Sequence, residues 1–226
     1  MISINNGKRF CGGSMIKENQ VLTARLCCLF GANTFSIFLG GINDYEPSRQ
    51  IGKSTKYTTH YTNPLARFND GVCIIHLDAP ISGKDIAIIR LPSWSQRSKS
   101  YERYNATVSG WGRTPHDDTA SNTTRLKYTD VIVKEKTFCQ RAYPGVSTRR
   151  TICTYDTNGS GICDRYAGEP LTITESDGLE TIIGIVSFGP PPGYGGCETR
   201  YPLGHVRVTA YLRWIYYLSG SVPFRP

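Results

Sequence analysis

Gly161-Ile162-Cys163-Asp164-Arg165-Tyr166-Ala167-Gly168-Glu169-Pro170-Leu171 is the stretch on which the reading of this chain turns. One short stretch carries little weight alone, so the remaining residues have to agree with it. They supply context at three levels: composition, strand texture and a series of collinear motifs.

The chain has 226 residues, of which 39% are hydrophobic. That length suits one large domain, and all-β barrels of this size often form a single one. The apolar content supports a sizeable core and argues against disorder. No apolar run is long enough to span a membrane. No signal peptide is visible, because Met1 leads directly into a strand-like Ile2-Ser3-Ile4. The 8 cysteines fit four disulfides and an oxidising compartment. With no C-x-x-C pair, a zinc site is not expected, and no cofactor or metal is implied. Sequons at Asn105, Asn122 and Asn158 fit a secreted chain and are possible N-glycosylation sites. The net charge of +8 favours approach to acidic surfaces, with a plain basic exterior as the alternative. No nucleic-acid motif accompanies the charge.

Short β-rich runs recur at Thr34–Leu39, Gly71–Leu77, Ala87–Leu91, Ala106–Ser109, Tyr128–Val133, Thr181–Ser187 and Gly204–Val208. Gly, Pro and Asn clusters separate them. Helical periodicity is expected only in Ala210–Leu218, where Leu212, Ile215 and Leu218 share a face. Many short strands with one terminal helix suggest a sandwich or a barrel.

The motifs narrow this. Phe10-Cys11-Gly12-Gly13-Ser14-Met15-Ile16, Val21-Leu22-Thr23-Ala24-Arg25-Leu26-Cys27, Val108-Ser109-Gly110-Trp111-Gly112-Arg113-Thr114 and Gly184-Ile185-Val186-Ser187-Phe188-Gly189 follow one another in order. With the opening stretch they resemble the trypsin-like (chymotrypsin-fold) serine proteases along almost the whole chain. In the opening stretch Cys163, Gly168, Pro170 and Leu171 stand where the family's nucleophile loop puts them. The resemblance implies an all-β fold: two six-stranded antiparallel β-barrels around a cleft, with a C-terminal α-helix. It implies one domain over 1–226, with an N-terminal barrel at about 1–100 and a C-terminal barrel at about 101–226. The family's opening segment of about fifteen residues, beginning I-V-G-G, has no counterpart.

The same resemblance locates the chemistry, and the expected groups are replaced. Acyl transfer in the family needs a serine nucleophile, an imidazole base and a buried carboxylate. Leu26 holds the His position, Ala167 the Ser position and Gly71 the Asp position, 45 residues after Leu26. Asp85, 59 residues after Leu26, is too distant, and Asp70 would point to the opposite strand face from Gly71. His60, His76, His116 and His205 read as structural or surface residues, and Ser160 has no evident base beside it. Arg165 replaces the oxyanion glycine, where a large side chain tolerates positive φ poorly. Tyr166 replaces the activation aspartate. Around the primary pocket, Gly161 stands where trypsin has an aspartate. Leu203 replaces a wall glycine, and Tyr201, Phe188 and Gly189 complete an occluded site.

The family's usual disulfides imply Cys11–Cys27, Cys139–Cys153 and Cys163–Cys197. Cys28 and Cys73 remain, on segments that neighbour each other in the family fold. A Cys28–Cys73 bridge is therefore expected, with two buried thiols as the alternative.

From these residues the expectation is a catalytically inactive homologue: no enzyme, acting by protein binding. The combination is similar to the inactivated paralogues of mite group 3 digestive serine proteases described in the scabies mite. That likeness implies secretion into the parasite gut and inhibition of host complement components by a monomer. The alternative is a non-catalytic regulator of an active serine protease cascade. Loop candidates for a binding surface are Thr114–Asn122, Arg141–Arg150 and Pro190–Gly196.

Overall fold

β-Branched and apolar runs become strands here wherever a neighbouring edge can pair with them. The computed structural model describes residues 1–43, 46, 49–60, 71–112, 125–155, 167–190 and 201–220. In the N-terminal half, β1 (Ile2–Ile4), β2 (Arg9–Cys11), β5 (Phe35–Leu39) and β6 (Gln50–Ser54) make one four-stranded sheet, in the order β2-β1-β5-β6. β3 (Ser14–Lys17), β4 (Gln20–Ala24), β7 (Lys56–His60) and β8 (Val72–His76) make a second, in the order β3-β4-β8-β7. The two sheets enclose a barrel-like core of Ile2, Ile4, Val21, Leu22, Phe35, Ile37, Ile74 and Ile75.

The C-terminal half closes completely. β9 (Asn105–Gly110), β10 (Lys127–Val133), β11 (Thr151–Tyr155), β12 (Pro170–Thr174), β13 (Glu180–Phe188) and β14 (Leu203–Arg207) form a six-stranded barrel in the order β10-β11-β14-β13-β12-β9. Closure removes the exposed edges that an open sheet would present. The fold is thus the all-β, chymotrypsin-like architecture expected from the sequence.

Strand β13 is the wall common to both halves, and seven of its nine residues are buried. Its register against β12 shifts so that Leu171 faces Gly184 while Thr172 faces Ile182. The extra residue, Ile183, switches which face each later side chain takes. Ile182 and Ile185 therefore both join the core shared with the N-terminal half, whereas Ile183 and Val186 fill the C-terminal barrel. Fully burying side chains of this size contributes about 1.5–3 kcal/mol each, so the shared wall is a major part of what holds the halves together.

Two cations, Arg207 buried and Arg90 partly exposed, tie the connecting segment down. Arg207 donates to the carbonyls of Lys99, Ser100 and Thr151. Arg90 binds the Asp177 carboxylate at the β12–β13 turn, donates through Nε to Thr181 Oγ1 at 2.8 Å, and lies 3.5 Å from Glu175. These anchors explain why Ala87–Leu91, expected as a strand, is not one. Ile89 N–H donates to the Met15 carbonyl and Arg90 makes an isolated bridge to Thr181, while Ile88 stays half exposed. The segment spans the two halves and finds no continuous edge.

α2 (Leu212–Ser219) forms where periodicity placed it, with Leu212 and Ile215 buried and Gly220 ending it in the left-handed conformation. α1 (Lys136–Ala142) was not foreseen. It is two turns long with Cys139 as its one buried residue, too short to show a period. No helix among the described residues is long and apolar enough to cross a membrane.

Three disulfides are described: Cys11–Cys27, Cys28–Cys73 and Cys139–Cys153. Cys163 and Cys197 lie outside the described residues. The Cys28–Cys73 bridge joins the turn after β4 to β8, with Cα atoms 6.5 Å apart and 45 residues in the loop it closes. Replacing both cysteines by alanine is expected to lower stability by at most about 4 kcal/mol, the chain-entropy value for such a loop. Urea unfolding of the oxidised parent and the double variant measures it.

Candidate active-site region

The three positions that matter are brought together by backbone. Leu26 sits half-buried in a 3-10 turn (Arg25–Cys28) directly after β4. Gly71 precedes β8, and its carbonyl accepts the Arg25 N–H at 3.0 Å. Ala167 lies in the turn before β12. Its carbonyl accepts the Gly12 N–H at 2.8 Å, and the Gly12 carbonyl accepts Thr23 Oγ1 at 2.7 Å. The next residue, Gly168, has φ +89 and donates to the Val186 carbonyl at 2.8 Å. A Cβ on Gly168 would meet the Gly12 carbonyl oxygen and Thr23 Oγ1 at 2.3 Å each, so only glycine fits this crossing.

The side chains at these positions do not form a proton relay. Leu26 and Ala167 carry no titratable or nucleophilic group. Gly71 adopts φ +144, and a Cβ there would lie 2.5 Å from the His60 carbonyl oxygen and 2.9 Å from Arg25 Cδ. The Arg25 side chain thus occupies space that an acidic residue at position 71 would need. Asp85 is exposed at a distance along the chain, on the connecting segment. His76 Nε2 is 2.9 Å from Thr58 Oγ1, and His205 Nε2 is 2.7 Å from Thr154 Oγ1, so each ring has its Nε2 engaged by a neighbouring hydroxyl. His60 is on β7, edge-on to Tyr211 and Trp214.

Beside this crossing, the end of β13 turns into an aromatic cluster. Phe188 lies against Gly204, where a Cβ would meet its ring at 2.2 Å. Tyr143 stacks edge-on against Phe188 at 5.0 Å and faces Tyr201 at 6.1 Å, and its hydroxyl donates to the Pro202 carbonyl at 2.6 Å. Burial, with Tyr201 second, raises the Tyr143 phenol far above its ordinary pKa, so it stays a neutral donor. Leu203 Cδ1 comes within 3.6 Å of the Cβ position of Gly189. Gly189 thus lies against Leu203, and Phe188 and Tyr201 both pack on Tyr143. Gly161, Arg165, Tyr166, Ser160, His116, Asp70, Asn122 and Asn158 lie outside the described residues, as do most of the loops at 114–122 and 190–196. Asn105 is exposed at the start of β9.

Sequence reasoning passed over Glu169. It is 2% exposed, two residues after Ala167, and its Oε1 accepts the Trp111 N–H at 3.2 Å. A Cβ on Gly12 or Gly110 would fall 2.2 or 2.3 Å from its Cδ, so two glycines make room for it. Burial pushes its carboxyl up to about 7, against the chain's amino-terminal charge and the Trp111 N–H, which both lower it.

Comparison with known proteins gives these positions a setting. Residues 1–215 match the family model described as Trypsin. The chain is 31% identical to a collagenase of Hypoderma lineatum over 98% of its length and 81% of the relative's. It is 32% identical to brachyurin of Leptuca pugilator, covering 95% of the chain and 89% of the relative. A solved structure of HL collagenase superposes with a TM-score of 0.81 at 33% identity, over 97% of this chain and 91% of that one. These findings overturn the expectation that the chain is no enzyme. The relatives that match nearly all of it are named as proteases, and that similarity points to protease activity. The expectation weighed the replaced side chains at Leu26, Gly71 and Ala167, whereas the comparisons weigh the whole frame. Any peptide cleavage by this chain must draw on groups other than those three.

Two buried titratable groups give the fold opposing pH dependences. Glu169 has its folded pKa raised from 4.5 to about 7. Its contribution is fully present below pH 4.5 and is lost as pH rises through 7, a cost of roughly 3 kcal/mol. Burial lowers His205 from 6.5 to about 3, so its contribution is present above 6.5 and is lost as pH falls towards 3. Urea unfolding between pH 4 and 8 is expected to show Glu169→Gln gaining stability over the parent only towards neutral pH. Curves that stay parallel across that range would refute the assignment. Separately, Gly71→Ala is expected to cost about 1–3 kcal/mol through its positive φ and the His60 carbonyl, read from the same titrations.

Proposed function

Because the chain belongs to the trypsin family, we propose that it acts on proteins, holding a folded or extended polypeptide at the cleft between its halves. The observation that carries this is the cluster of Tyr143, Phe188 and Tyr201 at the end of β13. An aromatic cluster beside the end of this strand favours recognition through surface and backbone over a single buried anchor. The segment Ser187-Phe188-Gly189 is the edge that the family resemblance assigns to an extended peptide.

The partner class we favour is host defence protein, complement components in particular, with inhibition of complement activation as the outcome. Support comes from the resemblance to the mite group 3 paralogues, from a disulfide-stapled frame suited to secretion, and from a net charge of +8 that draws acidic proteins. Regulation of an active serine protease cascade is the second reading, favoured by the retained family frame.

Folded chain immobilised in host plasma at physiological salt is expected to enrich complement proteins and to lower complement activation in the depleted plasma. New amino termini on the bound proteins, reproduced across preparations, would show cleavage by groups outside Leu26, Gly71 and Ala167. Enrichment of none but serine proteases would favour the cascade reading. No enrichment at all would overturn the proposal.

A further inference from the structure

A second concave site lies away from the cleft, where the end of β7, the 3-10 turn Trp94–Ser98 and α2 come together. The cavity measures about 820 Å³ and is lined by His60, Trp94, Arg97, Tyr211, Arg213 and Trp214, among others. That volume is in the range of sites that hold a small molecule, roughly 300–1,000 Å³. The walls are mainly ring faces and edges. His60 meets Tyr211 at 5.4 Å and Trp214 at 5.3 Å, both edge-on. Arg97 lies over the Trp94 ring at 5.1 Å.

The charge on these walls has one sign. Arg97 and Arg213 are both exposed at the rim. Among the described residues neither is paired with a carboxylate and no acidic side chain lines the cavity. His60 Nδ1 is buried and has no hydrogen-bond partner among the described residues. A buried polar atom left in this way costs free energy unless something supplies its partner. Guanidinium groups above aromatic walls suit a ligand that is flat and apolar with an acid group at one end.

We infer that this cavity is a binding site for a small aromatic anion, a carboxylate or sulfonate carried on fused or linked rings. The rings of the ligand stack among Trp94, Tyr211 and Trp214, and its acid group lies between Arg97 and Arg213. The site uses none of Leu26, Gly71 and Ala167, and it stands independently of what the cleft does.

The test is a titration of the folded chain with 8-anilinonaphthalene-1-sulfonate, followed by probe emission excited through the tryptophans. Its neutral counterpart, N-phenyl-1-naphthylamine, serves as the comparator. Saturable binding at one site is expected, about tenfold tighter for the sulfonate than for the neutral probe. The double charge reversal Arg97→Glu with Arg213→Glu should remove that preference, and Ala210→Trp, at an exposed lining position, should block both probes. All three positions are exposed, and near-ultraviolet circular dichroism checks that the variants stay folded. Absence of saturable binding overturns the inference. So does sulfonate binding that is indifferent to the charge reversal or to Ala210→Trp.

Discussion

The crossing of Gly12 with Ala167 and Gly168 is the constraint on which the rest of the molecule depends. One N–H from the N-terminal half meets one carbonyl of the turn before β12, and a neighbouring hydroxyl from Thr23 fills the return bond. The approach is close enough that Gly168 admits no Cβ. Everything that converges on the cleft is placed by this backbone contact: the turn carrying Leu26, the start of β8 at Gly71, and the turn carrying Ala167. Main-chain atoms do the placing, so the geometry of those three positions does not depend on the side chains they carry. The disulfide between Cys28 and Cys73 reinforces the same corner from the other side.

That distinction explains how legible the fold was. Glycines such as Gly12 and Gly110, and the cysteines at Cys11, Cys27, Cys139 and Cys153, hold positions with a backbone or covalent reason, and they were readable from sequence. Strands β5, β8, β9, β10, β13 and β14 were readable because their apolar runs are bounded by turn residues. Ala87–Leu91 has the same composition, yet its fate depended on whether a free edge lay nearby, which no local pattern encodes. α1 was too brief to display a period. Glu169 was missed because an acid in a strand-opening turn ordinarily faces water. Only the two glycines that vacate room around it, distant in sequence, reveal that it is buried. The aromatic and basic residues around His60 come from β7, the connecting segment and the last helix, so their convergence could be seen only in three dimensions.

Reading the site by individual residues and reading the chain by overall similarity weigh different quantities. Three side chains fix which proton transfers are available at one point in space. Identity spread over the whole length fixes the frame. The relatives named as proteases correct the inference drawn from the three side chains alone. The geometry in turn limits which atoms of this chain any bond cleavage can use.

The last helix is held by the first sheet. Gln20 Nε2 donates to the Leu218 carbonyl at 3.3 Å, and Lys17 Nζ caps the carbonyl of Ser219, across some 200 residues of chain. Ile215 and Leu212 enter the same core as Ile2 and Val21. The cover of the first sheets is thus supplied from residues some 200 positions further along, so this core is closed by contacts of long sequence separation. Loosening the last helix would strip apolar cover from strands at the far end of the sequence.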